Sequence, residues 1–166
     1  MMNSLDKRRI VGLTGNIATG KSVVREMLVA WGASAIDADA VARSIVEPGK
    51  PALSQIINEF GSTVLNADGT LNRRSLGAIV FSEPEQLKKL EAITHPAVRA
   101  EIWTQIRLLP ETAVVVLEMI KLLESGWVNY CDEVWVTDCP EAMQLRRLLQ
   151  TRGMTEDEAR TRIAAQ

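Results

Sequence analysis

Eight consecutive residues, Gly15-Asn16-Ile17-Ala18-Thr19-Gly20-Lys21-Ser22, fit the spacing G-x-x-x-x-G-K-[ST]. The chemistry of that spacing is anion capture. Glycines let the main chain turn so that successive N–H groups face one hollow. A helix starting near Lys21 adds the positive end of its dipole to the same hollow. Lys21 brings a point charge for the β- and γ-phosphates of a nucleotide, and the Ser22 hydroxyl is a ligand for Mg2+. Asn16, Ile17, Ala18, Thr19 and Gly20 line the cradle itself. The bland alternative is a solvated loop with an ordinary surface lysine. Context separates the two, because the pattern carries its meaning only between a strand and a helix.

The flanking residues supply that context. Ile10, Val11 and Leu13 form a short apolar run that ends at Thr14-Gly15 and reads as a buried strand. Val23, Val24, Met27, Leu28 and Trp31 recur at helical spacing, with Gly32 placed as a stop. Ala35 and Ile36 start a second strand that ends at Asp37-Ala38-Asp39, and Val41, Ala42 and Ile45 continue as helix until Pro48-Gly49. Ala113 to Leu117 is an unbroken apolar run around three β-branched valines, the mark of a strand buried on both faces, and Glu133 to Thr137 is another strand. Strands alternating with helices predict an α/β fold with a parallel sheet and right-handed crossovers.

The segment between the second and third strands is too long for a simple crossover and reads as a helical insert. Pro51 opens a helix carrying Leu53, Ile56, Ile57 and Phe60, and Asn66-Ala67-Asp68-Gly69 is a turn. Ser82 with Glu85 predicts a capping box for a helix carrying Leu87, Leu90 and Ile93. His95-Pro96 predicts an interruption, and Val98, Ile102, Ile106 and Leu109 mark a further helix ended by Pro110. After Pro140 an arginine-rich helix holds Arg146, Arg147 and Arg152, and Thr155 with Glu158 caps a last helix running to Gln166.

Composition narrows the function. The chain's 166 residues allow one domain, or a core with one insert. A net charge of −2 and an aromatic content of 4% give neither a general attraction for nucleic acid nor a base-stacking surface. The single histidine, His95, excludes any site needing two imidazoles. Two cysteines are too few for a disulfide scaffold and fit a reducing cytosol. No stretch approaches the ~20 apolar residues of a membrane span. The polar Met1–Arg9 segment lacks a signal peptide's apolar core, so a soluble, cytoplasmic protein is expected. A GTPase would carry an Asn-Lys-x-Asp motif, which is absent, and large motor ATPases need far more chain. A small nucleotide or metabolite kinase fits the size.

Further motifs follow in order: Leu13 to Ser22, Ile36-Asp37-Ala38-Asp39 with Ala42-Arg43, Phe60-Gly61, Asp68-Gly69, Leu71-x-Arg73-x-x-Leu76 and Phe81, then Leu90-Glu91, His95-Pro96, Leu122 to Gly126, and Ile163 to Gln166. In these residues the chain resembles the dephospho-coenzyme A kinase family over nearly its whole length. The resemblance implies a three-layer P-loop kinase fold with a parallel sheet, a helical acceptor-binding insert and a helical lid. A single domain over 1–166 would divide into a core of about 8–47 and 111–139, an insert of about 48–110, and a lid with its following helix of about 140–166. The implied reaction moves the γ-phosphate of ATP, with Mg2+, to the ribose 3′-hydroxyl of dephospho-CoA.

Residue roles follow from the same resemblance. Asp39 matches the catalytic base; on spacing alone, Asp37 and Asp39 read equally well as helix N-caps. Asp37 is expected to support the turn or the metal's water shell. Thr14, Arg43, Arg73, Leu76 and His95 fall at acceptor-side positions. Without the resemblance, His95-Pro96 reads as a helix break and Arg73-Arg74 as a solvated face. In the lid, Arg147 is the candidate to stabilise the transferring group, with Arg152 on the ATP phosphates and Arg146 a competitor. The family usually spaces two arginines four apart, whereas Arg147 and Arg152 are five apart.

Three departures carry expectations. Asn16 and Ala18 stand where the family has glycines, at free positions of the motif, so phosphate binding should survive. Ile120-Lys121-Leu122-Leu123-Glu124 replaces a Pro-Leu-Leu-Phe-Glu segment near the acceptor site. Family members also continue for a few tens of residues past the position of Gln166, so a last strand and helix are expected to be missing. Two other readings remain at this point: a kinase for a different small metabolite, or a nucleotide-binding fragment without turnover.

Overall fold

The computed structural model describes residues 7–165. The polar N-terminal segment lies outside the described residues up to Asp6, as does Gln166. The chain forms two compact units, residues 7–37 with 109–165, and Ala38–Leu108.

The first unit holds a four-stranded sheet. β1 (Arg9–Gly15) is followed by α1 (Lys21–Ala30) and β2 (Ser34–Asp37); β3 (Val114–Glu118) and β4 (Glu133–Thr137) come after the second unit. The strand order is β2-β3-β1-β4, and every pairing is parallel. β1 lies between β3 and β4, which is why its apolar run does not alternate: six of its seven residues are buried. Ile10, Leu13, Val115, Val116 and Leu117 have no exposed surface. At Gly12 a Cβ would meet the Leu122 side chain at 2.6 Å and Cys131 Sγ at 2.8 Å, so the strand is bare where its neighbours press closest. Burial there pushes the Cys131 thiol up from its ordinary pKa, with the charge of Asp132 adding to the effect. The start of β4 is tied to β1 by a reciprocal pair: Ile10 N–H donates to Asp132 Oδ2 at 2.7 Å, and Asp132 N–H to Ile10 O at 2.8 Å. α6 (Glu141–Arg152) and α7 (Glu156–Ala164) close the chain and pack on each other. Thr155 and Glu158 form the capping box expected for α7.

The sheet elements match the sequence expectations within a residue. β4 covers Glu133–Thr137 as predicted, while β3 starts and ends one residue later than predicted. α1 forms where expected, and it is largely open. Val23, Met27 and Trp31 are 60%, 48% and 75% exposed, and no α1 residue is fully buried. Residues 23, 27 and 31 form one stripe at i, i+4 spacing, and Val24 and Leu28 form the next. Only the second stripe is partly covered.

The second unit is helical: α2 (Ala38–Ser44), α3 (Pro51–Phe60), α4 (Arg73–Val80) and α5 (Pro84–Leu108). α2, α3 and α4 all pack against α5. The turn at Asn66–Gly69 forms as expected, with Thr70 N–H and hydroxyl both donating to Asp68 Oδ1. Those bonds hold the Asp68 carboxyl below its usual pKa. α4 is capped by Asn72, whose side chain accepts from Ser75 N–H at 3.0 Å.

Two predictions for this segment are overturned. His95-Pro96 does not break the helix; α5 runs 25 residues through Pro96. The Ser82–Glu85 capping box is also absent, because the Ser82 hydroxyl donates back to Ile79 O at 2.8 Å. For the proline the cause is packing. Three helices lie on α5, and Ile102 and Ile106 beyond the proline are 0% and 2% exposed, so burial outweighs the single main-chain bond a proline removes. No helix among the described residues is long and apolar enough to cross a membrane.

Pro96 therefore costs stability where it stands. Pro96→Ala gives the carbonyl of Ala92 a donor again and is expected to stabilise the protein by about 1–3 kcal/mol. Thermal unfolding monitored by circular dichroism measures this, and a lower Tm for the variant would contradict the account.

Candidate active site

The candidate loop joins the end of β1 to the start of α1. Gly15 has φ 142°, and a Cβ there would lie 2.3 Å from Thr137 O and 2.4 Å from Thr137 Oγ1. Gly20 has φ 111° and precedes α1 without any side-chain cap. α1 also has no acidic residue in its first turn, unlike α7, which has Glu156, Asp157 and Glu158 there. The positive end of α1 is thus left without local compensation, which favours an anion.

Nothing in the residues around Thr137 marks it for the site, yet it braces the loop. Its hydroxyl lies 2.8 Å from Thr19 Oγ1 and donates to Thr14 O at 3.3 Å, and Thr19 Oγ1 reaches Asn16 O at 2.8 Å. Thr19 is only 7% exposed. Two threonines therefore hold both arms of the turn together. The signal is weak in sequence because it depends on register: Thr137 matters as the partner of Gly15 across β1 and β4. A polar residue at the carboxyl end of a strand in a parallel sheet is the one clue the sequence offers.

Two cations reach the loop. Lys21 Nζ donates to the carbonyls of Gly15 and Asn16, the latter at 2.9 Å. Arg147 Nη1, from α6, donates to Ala18 O at 2.8 Å and approaches Cys139 Sγ at 3.7 Å. Geometry therefore separates the three lid arginines. Arg146 Nε donates to Gln150 Oε1 along its own helix at 3.3 Å, and Arg152 is exposed at the last position of α6. Ser22 is exposed in the first turn of α1. Ala18, standing where the resembled family has glycine, holds φ 59°.

The remaining candidates divide by surroundings. Thr14 is 4% exposed and its hydroxyl donates to Ile120 O at 2.8 Å, so it ties the departing chain of β3 to β1. Ile17 is half-buried in the loop and Asn16 is exposed. In the helical unit, Asp39 is exposed in the first turn of α2, Arg43 is exposed in the last turn of the same helix, and Arg73 is exposed at the start of α4. Leu76 is 5% exposed and belongs to that unit's core. His95 is exposed midway along α5.

The brace and the strained loop residue each make a prediction. Thr137→Val removes a hydroxyl shared by two partners and is expected to cost about 1–3 kcal/mol in stability and to weaken nucleotide binding, with Thr137→Ser recovering most of both. Ala18→Gly relieves a left-handed alanine and is expected to raise stability by up to about 1 kcal/mol. Thermal melts and nucleotide titrations check both; an unaffected Thr137→Val or a less stable Ala18→Gly would refute the corresponding point.

The family model described as dephospho-CoA kinase matches residues 9–166. The dephospho-CoA kinase of Symbiobacterium thermophilum is 48% identical over 160 residues, covering 95% of this chain and 67% of that one. That of Shouchella clausii is 48% identical over 158 residues, covering 94% and 80%. Among solved structures, TT1252 from Thermus thermophilus superposes with a TM-score of 0.81 at 34% identity, and the dephospho-CoA kinase from Campylobacter jejuni with 0.68 at 31%. Each covers 96% of this chain, which in turn covers 80% of each. With a phosphate loop between a central strand and its helix, and likeness of this extent on either side of it, the chain belongs to the dephospho-CoA kinase family.

Proposed function

We propose that this protein transfers the γ-phosphate of ATP to the 3′-hydroxyl of the ribose in dephospho-CoA, giving CoA and ADP. The observation that carries the reading is the pair of cations on one anion cradle: Lys21 and Arg147 both bond to carbonyls of the loop at the head of α1. The loop's N–H groups and the helix dipole grip the triphosphate. Lys21 neutralises charge on the β- and γ-phosphates, and Arg147 stabilises the charge spread over the phosphoryl group in flight.

In the transfer, the ribose oxygen bonds to the γ-phosphorus as the bond from that phosphorus to the β-γ bridging oxygen breaks. ADP leaves with the bridging oxygen. The hydroxyl proton goes to a carboxylate, for which the family resemblance supports Asp39. Asp39 stands two residues past the end of β2, and strand ends in parallel sheets are where such groups act. Arg43, Arg73 and His95 are exposed polar groups of the helical unit and suit the phosphates and ribose of the acceptor. Arg152 would serve the ATP phosphates from the end of α6.

Among the described residues no group of three or more His, Cys, Asp or Glu is placed to hold a metal ion. The loop's donor is a hydroxyl, Ser22, which fits a hard cation that keeps its waters and shares phosphate oxygens. Mg2+ bound there would supply further charge neutralisation between the β- and γ-phosphates. Cys131 and Cys139 are both free thiols, which fits the cytoplasmic location we propose.

The test incubates the 166-residue chain with Mg-ATP and dephospho-CoA and follows ADP and CoA together. Asp39→Asn is expected to lower kcat about 10²–10⁴-fold with little change in ATP affinity. Lys21→Ala should weaken ATP binding as well as turnover, and Arg147→Ala should lower kcat about 10²–10³-fold. Arg147→Lys should not restore it, because a point charge does not replace a planar fork. ADP formed only with another acceptor, or saturable ATP binding with no turnover, would refute the proposal.

A further inference from the structure

We infer that Arg25 is a positioning residue for the transfer, pinning the ends of β2 and β3 to the helix that carries the phosphate loop. The inference rests on the kinase reading above for its consequence, though not for its geometry. Arg25 lies on α1, one helical turn beyond Lys21. Its Nη1 stands 3.1 Å from Glu118 Oε2 and 3.8 Å from Asp37 Oδ2. The side chains of Arg25, Glu118 and Asp37 are 29%, 13% and 34% exposed, so Glu118 is the shielded member while the other two keep about a third of their surface in water.

The two carboxylates are neighbours by construction. Asp37 and Glu118 are the last residues of β2 and β3 and face each other in register. Like charges so placed push adjacent strand ends apart, and a shielded carboxylate needs a partner. Glu118 Oε2 has essentially no solvent contact, and the guanidinium of Arg25 is the cation beside it. One side chain thereby ties three elements together: α1, β2 and β3.

What leaves those two strand ends is the reason the tie matters. Asp39 follows Asp37 by two residues, about 7 Å of chain with little slack. After Glu118, Met119 N–H donates to Leu13 O at 3.0 Å and Ile120 O accepts from the Thr14 hydroxyl at 2.8 Å, so this exit is fastened to β1 just ahead of the loop. In-line transfer depends on placement, and a shift of about 1 Å at a reacting group costs on the order of 100-fold in rate. Arg25 touches no reacting atom; it acts through Asp37 and Glu118.

The test uses the full chain with Arg25→Met and Arg25→Lys. For Arg25→Met the expected result is a kcat lower by roughly 30–100-fold with the KM for ATP within about threefold of the parent, since Lys21 and the loop are unchanged. Arg25→Lys keeps a cation against Glu118 and should recover most of the loss. Amide hydrogen exchange should speed up at residues 36–39 and 118–120 in Arg25→Met, with residues 10–13 of β1 unaffected. A kcat within threefold of the parent would overturn the inference. So would exchange that accelerates equally across β1, which would make Arg25 a residue of general stability. If the parent chain itself fails to phosphorylate dephospho-CoA, the kinase reading falls, while the exchange measurement still decides whether Arg25 pins the two strand ends.

Discussion

A Cβ on Gly15 would sit 2.3 Å from the main-chain oxygen of Thr137, and the rest of the site depends on that closeness. The first strand must end against the fourth with no side chain between them, or the chain cannot fold back into a hollow of N–H groups. The constraint reaches outward. β1 needs a parallel neighbour on each side to hold its end still, and β3 and β4 supply them in register. β4 needs its own start fixed, which the reciprocal bonds between Ile10 and Asp132 provide. The two hydroxyls of Thr19 and Thr137 then close the turn from within, where water has little access.

The helices differ in how their first turns are finished, and α1 shares its bare start with α3, which opens on Pro51. α4 and α7 satisfy their first N–H groups with Asn72 and Thr155. α7 adds three carboxylates to its positive end. α1 has neither device. A helix without a cap or an acidic first turn gives up roughly 1–2 kcal/mol of local stability, which is tolerable when the helix is anchored on a sheet and its open end receives an anion. Ala18 lies in the loop just ahead of α1 and holds a left-handed conformation that alanine rarely adopts.

Local signals are legible in the sequence, and non-local ones are not. The phosphate loop, the strands Glu133–Thr137 and Val114–Glu118, the stop at Gly32 and the Thr155 cap are all written in residues a few positions apart. Pro96 shows the limit. Its local meaning is a helix break, and the packing of three helices on α5 reverses that meaning from residues more than fifty positions away. Thr137 and Arg25 show it again, since each matters through a partner fixed by strand register rather than by spacing along the chain. At Val23, Met27 and Trp31 the helical periodicity is plain in the sequence, but which stripe stays exposed is not. The lid arginines are indistinguishable by composition and become distinct only once α6 stands beside Ala18.

The bonds that Lys21 and Arg147 make to loop carbonyls also bear on the proposal that one cradle serves both binding and transfer. A carbonyl is a neutral acceptor, and a phosphate oxygen is a charged one with bonds roughly twice as strong. Both cations would therefore gain by turning from the main chain toward the triphosphate of the proposed reaction. Lys21 starts α1 and Arg147 lies midway along α6, so the two charges come to the loop from different helices. The carbonyls of Gly15, Asn16 and Ala18 hold both charges on the loop itself. Charge placed in advance needs little reorganisation during the reaction, and for phosphoryl transfer, where the protein does almost no covalent work, that placement is most of the catalysis.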